Sequence, residues 1–155
     1  NPEEKNFLAS VSNGEEIKKN RIIVKKKNKK AIKRIMGDRY KKAIFSYWTQ
    51  DDKTIWILNS IGKYKPITAG FVISNCKVDK AYVIVYREQH GYEIKYNSFL
   101  NQFKDNKLNE KNKLNNNLDN ISGATLSVNS MDRMGRLALV LNSTVNEKSC
   151  NQKNS

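Results

Sequence analysis

This chain lacks much of what metal and acid–base chemistry requires. It contains one histidine, His90, so a site built from several histidines cannot form and a serine–histidine–aspartate triad has a single position to draw on. The two cysteines, Cys76 and Cys150, stand far apart, with neither metal-site spacing nor a Cys-x-x-Cys redox pair. Two arrangements fit them. They join outside the cytoplasm and tie the C-terminal tail to a sheet, or Cys76 is buried and Cys150 stays loose in the tail. No run of about 18 apolar residues occurs, as a membrane-crossing helix would need. There is no glycine-rich dinucleotide fingerprint, no P-loop and no internal repeat. Acidic residues are scarce as well, 15 against 29 basic ones, which leaves a net charge of +14.

That charge invites a nucleic-acid reading, yet its distribution argues for something plainer. Ten of the 29 basic residues fall between Lys18 and Arg34, and Lys25, Lys26, Lys27, Lys29 and Lys30 are nearly continuous. The chain is also rich in Asn and Ile, a bias that raises lysine throughout. A solvated face is the first reading of this run. Docking to an acidic partner or an anionic membrane surface, and binding to nucleic acid, come behind it on equal terms.

At 155 residues, with two Trp, five Phe and seven Tyr to supply buried area, the chain suits one domain. It starts at Asn1 rather than Met, and a removed signal peptide is expected. Residues 1–14 read as a loosely ordered lead-in ending at the Asn13-Gly14 turn pair. Glu15 to Met36 reads as one or two helices, stopped by Gly37. The period then changes to two. Strands are expected at Ala43 to Thr49, Thr54 to Asn59, Ile67 to Ile73 and Lys80 to Arg87, joined by short turns. Asn97 to Phe103 reads as a helical turn, and Lys104 to Asn117 as a mobile polar loop. A final helix from Leu126 carries Val128, Met131, Met134, Leu137, Ala138 and Leu141 on one stripe. The expected fold is α+β: an antiparallel meander sheet with helices packed on one face, in a single domain. Residues 1–42 form a basic helical segment, 43–142 the domain proper, and 143–155 a disordered tail.

The most informative stretch is Asp119-Asn120-Ile121-Ser122-Gly123-Ala124-Thr125, immediately before that final helix. It delivers a hydroxyl to a helix start, where unpaired backbone N–H groups and the positive end of the macrodipole favour a phosphate. Gly123 and Ala124 are small enough for a bulky ligand to approach the backbone. On Ser122 to Thr125 alone, an ordinary helix start with Ser122 or Thr125 as N-cap is the commoner reading.

The Asp-x-x-Ser-Gly-Ala-Thr pattern resembles the acceptor motif of FMN-binding domains, in which the last threonine carries FMN through a phosphoester. A second stretch, Tyr86-Arg87-Glu88-Gln89-His90-Gly91-Tyr92-Glu93-Ile94 followed by Phe99-Leu100-Asn101-Gln102-Phe103, is similar to one branch of the same family. The order is the family's, and the resemblance spans about residues 43 to 141. The Asn- and Lys-rich link between Phe103 and Asp119 departs from it.

The resemblance implies a covalent cofactor, FMN, on Thr125. Ser122, Gly123, Ala124 and Leu126 would surround the phosphate, with backbone N–H groups from Gly123 to Leu126 as donors. Asp119 would be read by an FMN transferase that uses FAD, or would brace the loop. Glu88, His90, Gly91 and Tyr92 are the candidates for the ring's surroundings, with Tyr92 as a stacking face. Similar domains occur in the peripheral flavin subunits of sodium-pumping quinone reductase and of related ion-translocating oxidoreductases. The expectation is therefore a periplasmic or otherwise extracytoplasmic electron carrier with a membrane-bound redox partner, rather than an independent enzyme. No catalytic or metal-ligating residue is assigned. Two rivals remain. One is a basic adaptor binding RNA or an anionic membrane surface, with Tyr47, Trp48 and Trp56 as stacking faces. The other is a small reductase holding flavin noncovalently.

Overall fold

A computed structural model describes residues 1–151. Five strands form one open antiparallel sheet in sequence order: β1 (Lys18–Ile23), β2 (Ile44–Gln50), β3 (Lys53–Ile61), β4 (Pro66–Ser74) and β5 (Lys77–Val85). The helices are α1 (Pro2–Val11), α2 (Lys26–Met36), α3 (Asn97–Leu100), α4 (Thr125–Val145) and α5 (Glu147–Asn151), with short 3₁₀ turns flanking α3. This is the expected α+β meander.

Alternation along the strands sorts their side chains to two faces. Trp56 and Leu58 of β3 and Ile67, Phe71 and Ile73 of β4 enter the main core. There they meet Ile32 and Ile35 of α2, Phe99 of α3, and Met131, Met134, Leu137 and Leu141 of α4. Burying a side chain of this size contributes roughly 1.5–3 kcal/mol, so this layer is the main source of stability. The stripe on α4 is core packing, as its spacing suggested.

Four segments differ from the sequence reading. Residues 1–14 are not a loose lead-in, because α1 occupies most of them. Asn1 Oδ1 accepts the N–H groups of Glu3 (2.9 Å) and Glu4 (3.3 Å), Pro2 opens the helix, and two glutamates lie in its first turn. Phe7 then covers the sheet face opposite the main core, joining Ile55 and Val72. Its ring sits where a Cβ on Gly70 would be, 2.3 Å from that position, so a glycine at 70 forms the socket. Helix α1 is thus an addition to the expected layer of helices on the other face.

The Glu15–Met36 segment is a strand followed by a helix rather than helix alone. In β1, half-buried Asn20 and Ile22 alternate with exposed Lys19, Arg21 and Ile23, and Ile22 pairs with Phe45 on β2. A β-branched run favours this pleated edge over a helix. Residues 1–42 therefore supply an edge strand to the sheet as well as two helices.

The Lys104–Asn117 loop is tied down by one fully buried amide. Asn106 Nδ2 donates to Asn116 O (2.8 Å) and Gln102 O (3.3 Å), and its Oδ1 accepts Asn116 N–H (3.0 Å). Leu114 enters the core beside it. At the far end, α4 runs on to Val145 and α5 follows, so helix replaces the expected disordered tail as far as Asn151. The remainder of that tail lies outside the described residues. Cys76, in the β4–β5 turn, is disulfide-bonded to Cys150 of α5. Of the two arrangements open at the outset, the bonded one is present.

Candidate functional site

Three loops meet at one end of the sheet. They are the Gly62–Lys65 turn between β3 and β4, the Tyr86–Gly91 segment after β5, and the Gly123–Ser127 start of α4. Between them lies a cavity of about 510 Å³, within the range of pockets that hold small-molecule cofactors. The antiparallel meander explains the convergence. The β3–β4 turn and the exit of β5 lie at the same end of neighbouring strands, and α4 packs across both strands' inner face.

The Arg-Glu pair joins the first two loops. Glu88 accepts the backbone N–H groups of Tyr64 (2.8 Å) and Lys65 (2.5 Å). Arg87 donates to Pro66 O (2.7 Å) and to Thr68 Oγ1 (3.2 Å). Charge-assisted bonds of this kind are stronger than neutral ones. Behind the turn, Arg133 of α4 donates to Ile61 O (3.0 Å) and Ser60 Oγ (3.1 Å). Its half-buried guanidinium is pulled below its usual pKa by burial, which the nearby Asp132 carboxylate opposes.

Tyr86 joins the second loop to the third. Its hydroxyl donates to His90 O, so the buried Ser127 hydroxyl is the donor in their 3.2 Å contact. Gly91 fits beneath this link with φ +83°, and a Cβ there would lie 2.7 Å from Tyr86 Oη and 3.4 Å from Ala124 Cβ. Gly91→Ala is expected to lower stability by about 1–3 kcal/mol, from left-handed backbone strain and the displaced tyrosine. A urea titration checks this. A loss below about 0.5 kcal/mol, the size of an ordinary surface change, would mean that the rim yields freely.

At the third loop, the helix start is open. Ala124 is the N-cap, no side chain caps the helix, and its first turn holds no acidic residue. Neither Ser122 nor Thr125 acts as the N-cap, which removes the ordinary capping reading. Ala124 N–H is taken by Ile121 O at 2.9 Å, and Val128 N–H is the first to bond back, to Ala124 O at 2.9 Å. The donors ahead of the helical ladder are therefore those of Thr125, Leu126 and Ser127. Of the donors expected from the sequence, Gly123 to Leu126, that of Ala124 is thus spent within the loop, and that of Ser127 is added.

Of the residues singled out in the sequence, Gly123, Ala124, Thr125, Leu126, Glu88, His90 and Gly91 line this cavity. Thr125 is exposed in its wall. Ser122, Asp119 and Tyr92 do not line it. Gly91 turns the chain so that Tyr92 opens a 3₁₀ turn, and its ring sits edge-on to Tyr96, centroids 6.2 Å apart. Asp119 is exposed, and the loop is braced instead by Gln102 Oε1, which accepts Asp119 N–H at 2.7 Å. The Phe-Leu-x-Gln-Phe segment thus anchors Phe99 and Phe103 in the core and aims Gln102 at the loop before α4.

Lys63, Tyr64, Lys65, Tyr86, Gln89 and Ser127 complete the wall, and none of them was assigned a site role from the sequence. A basic, aromatic turn at Lys63-Tyr64-Lys65 was visible in the sequence, but nothing local linked it to Thr125. The stacking faces considered for a nucleic acid fare differently. Trp56 is fully buried and stacked on Tyr47 at 4.6 Å, so it offers no face to a ligand.

A family model for the FMN-binding domain matches residues 62–140, a span that includes all three cavity loops and most of α4. No curated protein matches the chain. An open helix start, a cavity beside it and a family match covering both lead to one conclusion: the chain belongs to the FMN-binding domain family and is a flavoprotein.

Proposed function

We propose that FMN is carried covalently, as a phosphoester on Thr125 Oγ, and that the protein relays electrons outside the cytoplasm with a membrane-associated redox partner. One observation carries this reading. Exposed Thr125 stands at an uncapped helix start, in the wall of a cavity of cofactor size. The residues fit the group. Open N–H donors at Thr125 to Ser127 suit a phosphate, no carboxylate in the first turn opposes it, and Lys63 and Lys65 add positive charge to the wall.

Bound FMN supplies reversible electron uptake; the chain's own residues hold and tune it. Thr125 provides the tether, the start of α4 neutralises the phosphate, and the Arg87–Glu88 clamp fixes the walls against one another. Attachment by a transferase with FAD as donor forms the Thr125 Oγ–P bond as the pyrophosphate bond breaks. AMP leaves, and the hydroxyl proton passes to the transferase. A covalent link replaces loss by dilution with a high local concentration, an advantage where no FMN pool is maintained. The Cys76–Cys150 disulfide supports an oxidising compartment.

The chain exported together with a transferase tests this reading. Flavin fluorescence that survives denaturing electrophoresis, with an intact mass raised by one FMN phosphoester, is the expected result. Flavin released on denaturation would overturn the covalent link and favour a noncovalent reductase. A second expectation concerns charge. Lys63→Gln with Lys65→Gln should lower the midpoint potential of loaded protein, because positive charge in the wall favours the reduced, more negative cofactor. An unchanged midpoint in a redox titration would remove the lysines from this role.

A further inference from the structure

Resting on the FMN reading above, we propose that the Gly62–Pro66 turn is the second wall of the cofactor site, with Tyr64 as the stacking partner of the isoalloxazine ring. A flat, largely apolar ring needs an aromatic or apolar face. The wall holds two tyrosines, Tyr64 and Tyr86. Tyr86 is committed to His90 O and Ser127, and its hydroxyl holds the rim together. Tyr64 is 75% exposed, the most open large hydrophobic side chain among the described residues. Tyr92, the sequence candidate, stands outside the cavity against Tyr96.

Exposure alone would describe any surface tyrosine; what distinguishes Tyr64 is how its backbone is held. Glu88 accepts both Tyr64 N–H and Lys65 N–H, Gly62 N–H donates to Lys65 O at 3.0 Å, and Arg87 grips Pro66 O. The turn is thus fixed to the rim carrying His90 and Gly91. Fixing a wall before the ligand arrives reduces the ordering cost of binding. The Lys63 ammonium lies 5.3 Å from the Tyr64 ring centroid, which sets positive charge beside whatever stacks there. Glu88, the acidic member of the Arg-Glu pair, then acts as a positioning residue for this wall, its carboxylate turned to the backbone.

The test is optical and uses protein loaded at Thr125, with attachment verified by intact mass. A phenol in contact with an excited flavin quenches it by giving up an electron that then returns; a phenyl ring does so poorly. Wild-type flavin should be dim in the native state and several-fold brighter once denatured. Tyr64→Phe should be bright in the native state while keeping the visible circular dichroism of a held ring. Tyr64→Ala should be bright and lose that signal. Wild-type flavin equally bright native and denatured, or native Tyr64→Phe as dim as wild type, would overturn the assignment. Both outcomes leave attachment at Thr125 standing. Absence of the FMN increment in the wild-type mass would instead sink the attachment reading itself.

Discussion

Thr125→Val is expected to abolish denaturation-resistant flavin while leaving the fold as stable as before. Valine has nearly the same shape and removes only the hydroxyl, the one atom that the phosphoester requires. Thr125 is exposed and is not the N-cap, so no capping bond is lost with it. Surface changes of this kind stay within about 0.5 kcal/mol. A colourless variant with wild-type thermal stability therefore reports lost chemistry, not lost structure. Neighbouring hydroxyls offer poor substitutes. Ser122 does not line the cavity, and Ser127 is buried against Tyr86. A Thr125→Val chain still fluorescent on a denaturing gel would move the attachment point and undo the central proposal.

Reducing the Cys76–Cys150 bond should produce the largest loss of stability. The cysteines are 74 residues apart, and a loop of that size costs the unfolded chain roughly 4 kcal/mol of closure entropy in the simplest treatment. Measured effects usually fall short of that treatment, so about 2–4 kcal/mol is expected. For a chain of this size that corresponds to a fall in Tm of roughly 6–12 °C. The loop encloses Tyr86 to Gly91 and Gly123 to Ser127, two of the three cavity segments, but not the Gly62 turn. Comparing flavin-free protein with and without reductant, with thiols counted in each sample, measures the difference on one sequence. Two free thiols and an unchanged Tm would show that the bond adds nothing to stability. Cys150 Sγ also accepts Asn142 Nδ2 at 3.7 Å, a contact that reduction need not break but a Cys150 substitution would.

How far the sequence could be read depended on how local each signal was. The β2–β5 meander was legible because its alternation and turn residues act within a few positions. The stripe on α4 was legible for the same reason. Helix α1 was missed although Asn1-Pro2-Glu3-Glu4 carries a cap, a first-turn proline and two first-turn acids. A short helix is marginal unless something packs on it, and the Gly70 socket that holds Phe7 lies far along the sequence. β1 was missed because lysines mask the alternation of Asn20 and Ile22, and because its strand identity comes from pairing with β2. The ordered Asn106 loop rests on a buried amide bonded to Asn116 ten residues on, across a stretch with no periodic pattern to announce it.

The Asp-x-x-Ser-Gly-Ala-Thr motif and the Arg-Glu-x-x-Gly-Tyr-Glu segment were set by the sequence alone, since these are motifs of residue type and spacing. Tertiary structure alone decided which groups face them. It brought Lys63-Tyr64-Lys65 opposite Thr125, spent the Glu88 carboxylate on backbone N–H groups, and turned Tyr92 away. The physical reason is that a side chain's role is set by its competing partners, and these are contributed by strands and loops tens of residues away.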